Sequence, residues 1–384
     1  MERRTSAVRD QHLHQIKPLL LCAAALLCSC VSRPPAATAP QSGVVANAAE
    51  ARQLIASLLP RSASEREGWT QDIDAGFAAQ GIQPNRDSVC AVIAVIAQES
   101  GFRVDPVIPG LGAIAWREID ARAARAGVPP LLVHAALQAR SASGRSYADR
   151  IDAARTEKDL SDIFEDFIAA VPMGQTLFAG SNPIRTRGPM QVNIAFAEQY
   201  ARARPYPYPV ASSVADELFT RRGSVYFGIA HLLDYRPAYD DYLYRFADYN
   251  AGQYASRNAA FQLALALVSR MSVPPDGALL AHEGGGRDPG STELAARSVA
   301  ARLHLRDSDI HAALEQGRVE EFEQTRLYQR VFALADRLQR QPLPRAVIPR
   351  IALQGPKITR HLTTDWYAHR VDERFQRCRQ VRSD

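Results

Sequence analysis

At 384 residues the chain is long enough for one large domain or two ordinary ones, and 46% apolar and 23% charged residues exclude wholesale disorder. The formal charge of +5 comes from 46 basic residues, all Arg except Lys17, Lys158 and Lys357, against 41 acids. The basic residues are scattered and interrupted by acids rather than striped, which argues against nucleic-acid binding; a mildly basic surface suits an anionic cell-wall polymer or membrane face.

The first thirty residues read as an export signal. Arg3, Arg4, Arg9 and Lys17 precede the apolar run PLLLCAAALLCS, Pro18 to Ser29, which is too short to span a bilayer. The run ends in LCSC, Leu27 to Cys30, which resembles a bacterial lipobox. That resemblance implies cleavage before Cys30 and diacylglyceryl attachment to its thiol, a stable anchor because it carries two acyl chains. No Asp follows Cys30, which by the same analogy implies retention at the outer membrane, on its periplasmic face. An ordinary cleaved signal that happens to be Cys-rich is the alternative. Removing residues 1–29 takes away four bases and two acids, so +5 becomes +3. Residues 30–46, rich in Pro, Ala, Ser and Thr, cannot build a core and read as a tether. Processing leaves Cys90 and Cys378 as the only possible disulfide pair besides Cys30. An oxidising periplasm allows that bond, but Cys90 lies in an apolar helix and reads better as a small buried hydrophobe.

From residue 47 on, helical periodicity dominates. NAAEARQLIASLL and SEREGWTQDIDAGFAAQG space apolar residues three and four apart, the second ending at Gly81. Asp87 reads as the N-cap of SVCAVIAVIAQ, a helix apolar on all sides and therefore buried. Further helices are predicted in EIDARAARAG, PPLLVHAALQAR, YADRIDAARTEKDLSDIFEDFIAAV, QVNIAFAEQYARAR, RGSVYFGIAHLLDY and AAFQLALALVSRM. After a Gly-rich break, HEGGGRDPGS, come TELAARSVAARLHL, EEFEQTRLYQRVFALADRLQRQ, an extended PLPRAVIPRIAL and a closing helix DWYAHRVDERFQRC. No strand alternation recurs, so the fold class is mainly α. The GGGRDPG loop lacks the strand and Lys of a phosphate cradle, and no HExxH, Cys/His cluster or GxSxG occurs. No metal site and no cofactor are expected.

The apolar helix ends on an acid, in VIAQESGF. A carboxylate there is desolvated on one side and sits at the negative end of the helix dipole; both effects favour the protonated acid. Such an acid can protonate a glycosidic oxygen as its bond breaks. Downstream stand RGPMQVN, Arg187 to Asn193, and ADYNAGQY, Ala247 to Tyr254. The three pieces in this order resemble the lytic transglycosylase branch of the lysozyme-like superfamily, whose pattern is an E-S pair at a helix end, a G-x-M-Q turn and a Y-N-A-G segment. The layout is also similar to an uncharacterised family of proteobacterial lipoproteins, which adds no function.

The resemblance implies a lysozyme-like helical core acting on peptidoglycan glycan strands. Glu99 would be the general acid and then the base. Ser100 would bond near the acid or to the sugar's acetamido group. Gly188 would let the backbone approach the glycan, Met190 would pack beneath the sugar-binding floor, and Gln191 would hydrogen-bond at the cleft. Tyr249 would lie near Glu99 and help set its protonation, and Asn250 would fix the turn. One carboxylate then suffices. In these enzymes the N-acetyl carbonyl of N-acetylmuramic acid supports the developing cation and its C6 hydroxyl attacks C1, giving a 1,6-anhydro sugar; in most other glycosidases two acids flank the bond. Asp105 and Glu118 are the acids that would make it a water-using muramidase instead. A peptidoglycan-binding scaffold without activity is the other alternative.

The resemblance divides the chain into residues 1–29 as signal, 30–46 as tether and 47–384 as one helical domain. Its core motifs span 87–260. Eighty-eight residues separate Glu99 from Gly188, so an insertion at about 107–186, a lid or extra subdomain, interrupts the core. A helical extension of unassigned role covers about 275–384.

Overall fold

The structure is a computed structural model and describes residues 47–171, 182, 184–280, 288–353 and 360–382. The signal, Cys30, the tether and most of the HEGGGRDPGS break lie outside the described residues. Among these the fold is mainly helical, with two short antiparallel ladders. Residues 42–384 form one compact unit, and its buried apolar residues fall into three clusters, none with a described member before Ala51.

The first core is built by α1 (Ala48–Leu58), α2 (Arg66–Ala79) and α3 (Arg86–Glu99). Asn85, not Asp87, caps α3, in a reciprocal box with Ser88, while Asp87 sits in the first turn beside Arg379 at 2.7 Å. Every residue of α3 from Ser88 to Ile96 is buried, as its all-round apolar pattern demands. The same core takes α8 (Ile194–Ala203), α10 (Arg221–Leu233), α11 (Tyr242–Ala251) and the hairpin of β1 (Thr186–Arg187) with β2 (Val192–Asn193), paired Thr186 to Asn193. A short α9 (Val214–Glu217) precedes α10.

Between α3 and the hairpin run α4 (Leu111–Arg125), α5 (Pro130–Leu137), α6 (Tyr147–Ala153) and α7 (Glu157–Ala170). The single helix predicted from Tyr147 to Val171 is two, because Thr156 starts a new capping box with Asp159. These helices bury Leu137, Tyr147, Ile151 and Ile163 in a separate small core, so the segment from α4 to α7 has its own apolar centre. Arg187 fastens it to the hairpin. It is 2% exposed, donates to Glu165 at 2.8 Å and Ser161 at 2.7 Å, pairs with Asp216 at 3.2 Å and lies over the Phe219 ring.

The third core joins α12 (Ala255–Ser269), α13 (Ser291–Ser298), α14 (Ala300–Leu303), α15 (Asp307–Glu315) and α16 (Arg326–Gln339). The C-terminal segment is not one body. Part of the PLPRAVIPRIAL stretch is extended, with β3 (Ala352–Leu353) paired to β4 (Leu362–Thr363). The chain then returns to the first core through α17 (Thr364–Arg379), whose Tyr367, Ala368, Val371, Phe375 and Cys378 are buried against α3 and α11. An extension read as beginning at 275 therefore splits, with its last helix belonging to the core that carries Glu99.

The two helices run antiparallel, and three ties set their register: Arg379 to Asp87, Cys378 to Cys90 and Tyr367 to Glu99. Cys90 and Cys378 form a disulfide with Cα atoms 5.5 Å apart. The expectation of an unpaired Cys90 is corrected. The apolar setting that suggested a lone hydrophobe is a helix interface, and the partner stands 288 residues away.

Candidate active site

The end of α3 is shaped by the residues that follow it. Gly101 and Phe102 both adopt positive φ, and the Gly101 amide donates back to Ile96 O at 3.1 Å. The chain reverses, and Phe102 is driven into the core edge-on to Trp69 at 5.4 Å. Glu99 is left on the last helical turn, half-buried. The Tyr367 hydroxyl donates to its Oε1 at 2.5 Å. Burial, reinforced by the negative charge of Glu99, pushes the Tyr367 phenol well above its ordinary pKa, so this hydroxyl keeps its proton and acts as a donor.

Tyr249 comes to the same place from α11. It is buried, and Glu99 again adds to burial in holding its phenol protonated. Its hydroxyl donates to Met190 O at 2.7 Å, which ties α11 to the hairpin turn. His231 of α10 meets the Tyr249 ring at 4.9 Å and its carbonyl at 3.1 Å. Burial lowers the His231 pKa to about 4, so the imidazole is neutral. Asn250 accepts from Thr364 Oγ1 at 2.8 Å, locking the end of α11 to the start of α17. Asp248, fully buried, supports the segment from behind: it accepts from Tyr235, Tyr239 and the Ser256 amide. Burial raises its pKa to about 6.

The turn Gly188–Gln191 closes the hairpin with Gln191 N to Gly188 O at 2.9 Å. Gly188 has φ +74°, and a Cβ there would lie 1.8 Å from Leu218 O. The neighbour that excludes a side chain at Gly188 is thus the protein's own backbone. Gly188→Ala should destabilise the fold by about 2–5 kcal/mol, combining the left-handed backbone with the overlap; chemical unfolding measures it, and a loss below about 1 kcal/mol would show that the turn can shift.

Met190 is wholly buried. It fits because α10 carries Gly228 opposite it, where a Cβ would come within 2.3 Å of the Met190 sulfur, and its amide donates to Ser224 Oγ. Gln191 is held at positive φ. Its amide nitrogen donates to Glu157 Oε2 at 2.8 Å, and its oxygen accepts from Thr186 Oγ1 at 2.8 Å, so α7 reaches the turn through Glu157.

The structure brings Glu99, Tyr249, Met190 and Asn250 into one linked cluster and attaches Gln191 to its edge. Ser100 is placed differently from its expected role. It is 3% exposed, and its hydroxyl donates back to Ile96 O rather than facing the carboxylate. The two other candidate acids are otherwise engaged. Glu118 pairs with Arg122 and Arg125 on α4. Asp105 hydrogen-bonds Thr156 at the start of α7, near Glu157 and Asp159, with its pKa raised chiefly by burial. Among the described residues no group of three His, Cys, Asp or Glu could hold a metal ion.

Tyr367 was not among the residues marked out by sequence motifs. Its signal was present in the spacing of α17, where Tyr367, Val371, Phe375 and Cys378 recur every three or four residues. That marks a buried stripe but does not say what it faces.

A family model described as a protein of unknown function, DUF1615, matches residues 62–381. The chain is 46% identical over 366 residues to the uncharacterized protein YaiW of Escherichia coli strain K12, covering 95% of this chain and 98% of that one. No solved structure matches.

Proposed function

The chain belongs to the DUF1615 family, and from the cluster around Glu99 we propose that it is a peptidoglycan lytic transglycosylase with a lysozyme-like core. It would cleave the β-1,4 bond between N-acetylmuramic acid and N-acetylglucosamine. The observation that carries this reading is that three sequence-distant pieces are tied together: Tyr249 of α11 bonds to Met190 of the Gly188–Gln191 turn, and α17 bonds both Glu99 at the end of α3, through Tyr367, and Asn250 at the end of α11, through Thr364.

In this reading Glu99 gives its proton to the glycosidic oxygen as the C1–O bond breaks. The substrate's acetamido carbonyl supports the cation at C1. The C6 hydroxyl then closes on C1, and its proton returns to Glu99. Tyr367 positions the carboxylate through its hydroxyl, and Tyr249 links that position to the hairpin. Asp105 and Glu118 already hold other partners, which favours the single-acid route over the water-using one.

Incubating the protein with purified sacculi and identifying the products by mass spectrometry tests this. Anhydro-muropeptides are expected. Reducing ends would replace the reading by a muramidase, and absence of release by a binding scaffold. We further propose that Cys30 is acylated and holds the domain at the outer membrane. The mass of the mature N-terminal peptide, and its change in Cys30→Ser, decides that point.

Tyr367→Phe keeps the packing and removes the donor. A hydrogen bond to a charged group contributes about 1.5 kcal/mol or more, so the rate should fall about tenfold. The limb of the pH–rate profile set by Glu99 should also move to higher pH, because the carboxylate loses a donor. A fall in rate with an unmoved profile would make Tyr367 a packing residue only.

A further inference from the structure

A cavity of about 660 Å³ lies between the loop that enters α4 and the end of α6, and none of its lining residues belongs to the Glu99 cluster. That volume suits a ligand of a few hundred daltons. One wall is aliphatic, made by Val107, Ile108 and Pro109; the other carries Trp116, Asp152 and Arg155. The indole of Trp116 donates to Asp152 Oδ1 at 2.7 Å and lies against the His134 ring at 4.6 Å, so the polar wall is fixed. Gly112 sets the floor: a Cβ there would lie 2.7 Å from Ile151 O, so α4 and α6 meet backbone to side chain with no room to spare.

The charges of this wall are open. Arg155 is exposed, and its guanidinium makes no ion pair or hydrogen bond among the described residues. Nearby Asp159 spends Oδ2 on the backbone amides of Arg155 and Thr156, while the Arg155 carbonyl accepts from the Ile108 amide at 2.8 Å and pins the residue at the rim. Asp152 is also exposed, with Oδ2 unused among the described residues. A guanidinium takes a carboxylate in a paired geometry, and a carboxylate takes an ammonium. A neutral sugar would leave both charges unanswered, and a polyanion would meet Asp152. A short peptide that carries a carboxylate, an amine and small apolar parts answers the whole wall.

The cavity is continuous in sequence with the candidate active site on both sides. Val107 stands eight residues after Glu99. Arg155 stands two residues before Glu157, whose carboxylate holds Gln191 at 2.8 Å. The Arg155 Cα is therefore no more than about 15 Å from the Gln191 amide, and an extended tetrapeptide spans about 14 Å.

We propose that this cavity binds the peptide stem of peptidoglycan, with a stem carboxylate on Arg155 and the diamino acid's ammonium on Asp152, while the glycan lies at Glu99. The choice of this peptide rests on the transglycosylase reading, but its binding can be measured without cleavage.

Isothermal titration of the full-length protein in detergent with N-acetyl-L-alanyl-γ-D-glutamyl-meso-diaminopimelyl-D-alanine tests it. Saturable binding is expected. Arg155→Glu should weaken it at least about tenfold, the effect of losing a hydrogen bond between charged groups, with the thermal midpoint unchanged because the side chain is exposed. Asp152→Asn should weaken the free-amine peptide and not one acetylated on that amine. On intact sacculi Arg155→Glu should raise the apparent KM and leave kcat, whereas glycan chains stripped of peptide by an amidase should be cut equally by variant and parent. No peptide binding by the parent, or equal binding by Arg155→Glu, overturns the proposal. So does an N-acetylglucosamine tetramer that competes for the peptide's place. Cleavage of sacculi without peptide binding removes the cavity's role alone; peptide binding without cleavage supports the cavity and removes the transglycosylase reading.

Discussion

Glu99→Gln is expected to lower the release of anhydro-muropeptides from sacculi by about 10²–10⁴-fold, the usual contribution of a positioned general acid. Gln preserves the shape of the side chain, and its oxygen can still accept from Tyr367. The group is half-buried at a helix end rather than in a sealed core. The unfolding free energy should therefore change by no more than about 0.5 kcal/mol. Activity and stability are thereby separated. A large loss of activity in a fold of unchanged stability assigns the proton to Glu99. A variant that releases anhydro product like the parent would remove Glu99 as the acid, and the reading of the whole cluster with it.

The second large effect belongs to the Cys90–Cys378 disulfide. The bond closes a loop of 288 residues in sequence, near the upper end of what a cross-link can take from the entropy of the unfolded chain. Replacing both cysteines by Ala should destabilise by about 3–5 kcal/mol and lower the thermal midpoint by about 4–7 °C. Differential scanning calorimetry measures it. The disulfide also sets the register of α17 on α3, with Cys378 three helical turns from Tyr367 on the same stripe. Activity should fall in the double variant even at temperatures where it stays folded. A variant with an unchanged midpoint would show that the helix interface holds without the bond. Because both sulfurs are buried, dithiothreitol should reduce the native protein slowly and the unfolded protein quickly.

The mainly helical class was legible because periodicity and capping are local properties. α3 shows why. An unbroken apolar run, a carboxylate and then Ser-Gly-Phe already describe a buried helix that stops abruptly with its last side chain at the edge of the core. The hairpin was partly legible. The Gly188–Gln191 turn was marked as special, yet the reason only glycine fits is Leu218 O, which arrives from a loop thirty residues on. Ser100 shows the reverse case: adjacent to the acid in sequence, it turns its hydroxyl back into the helix because the side chain of the residue after the acid lies on a different face.

What the sequence determined by itself is therefore the set of faces: which stripe of each helix is apolar, where each helix ends and which acid stands at such an end. The tertiary structure decided which faces meet. Tyr367 reaches Glu99 across 268 residues, and Cys378 reaches Cys90 across 288. An apolar stripe specifies that it must be buried but is nearly indifferent to its partner, because hydrophobic burial is non-directional. Only packing of the whole chain, in which α17 closes against α3 and α11 together, selects one pairing and places a phenol beside the carboxylate.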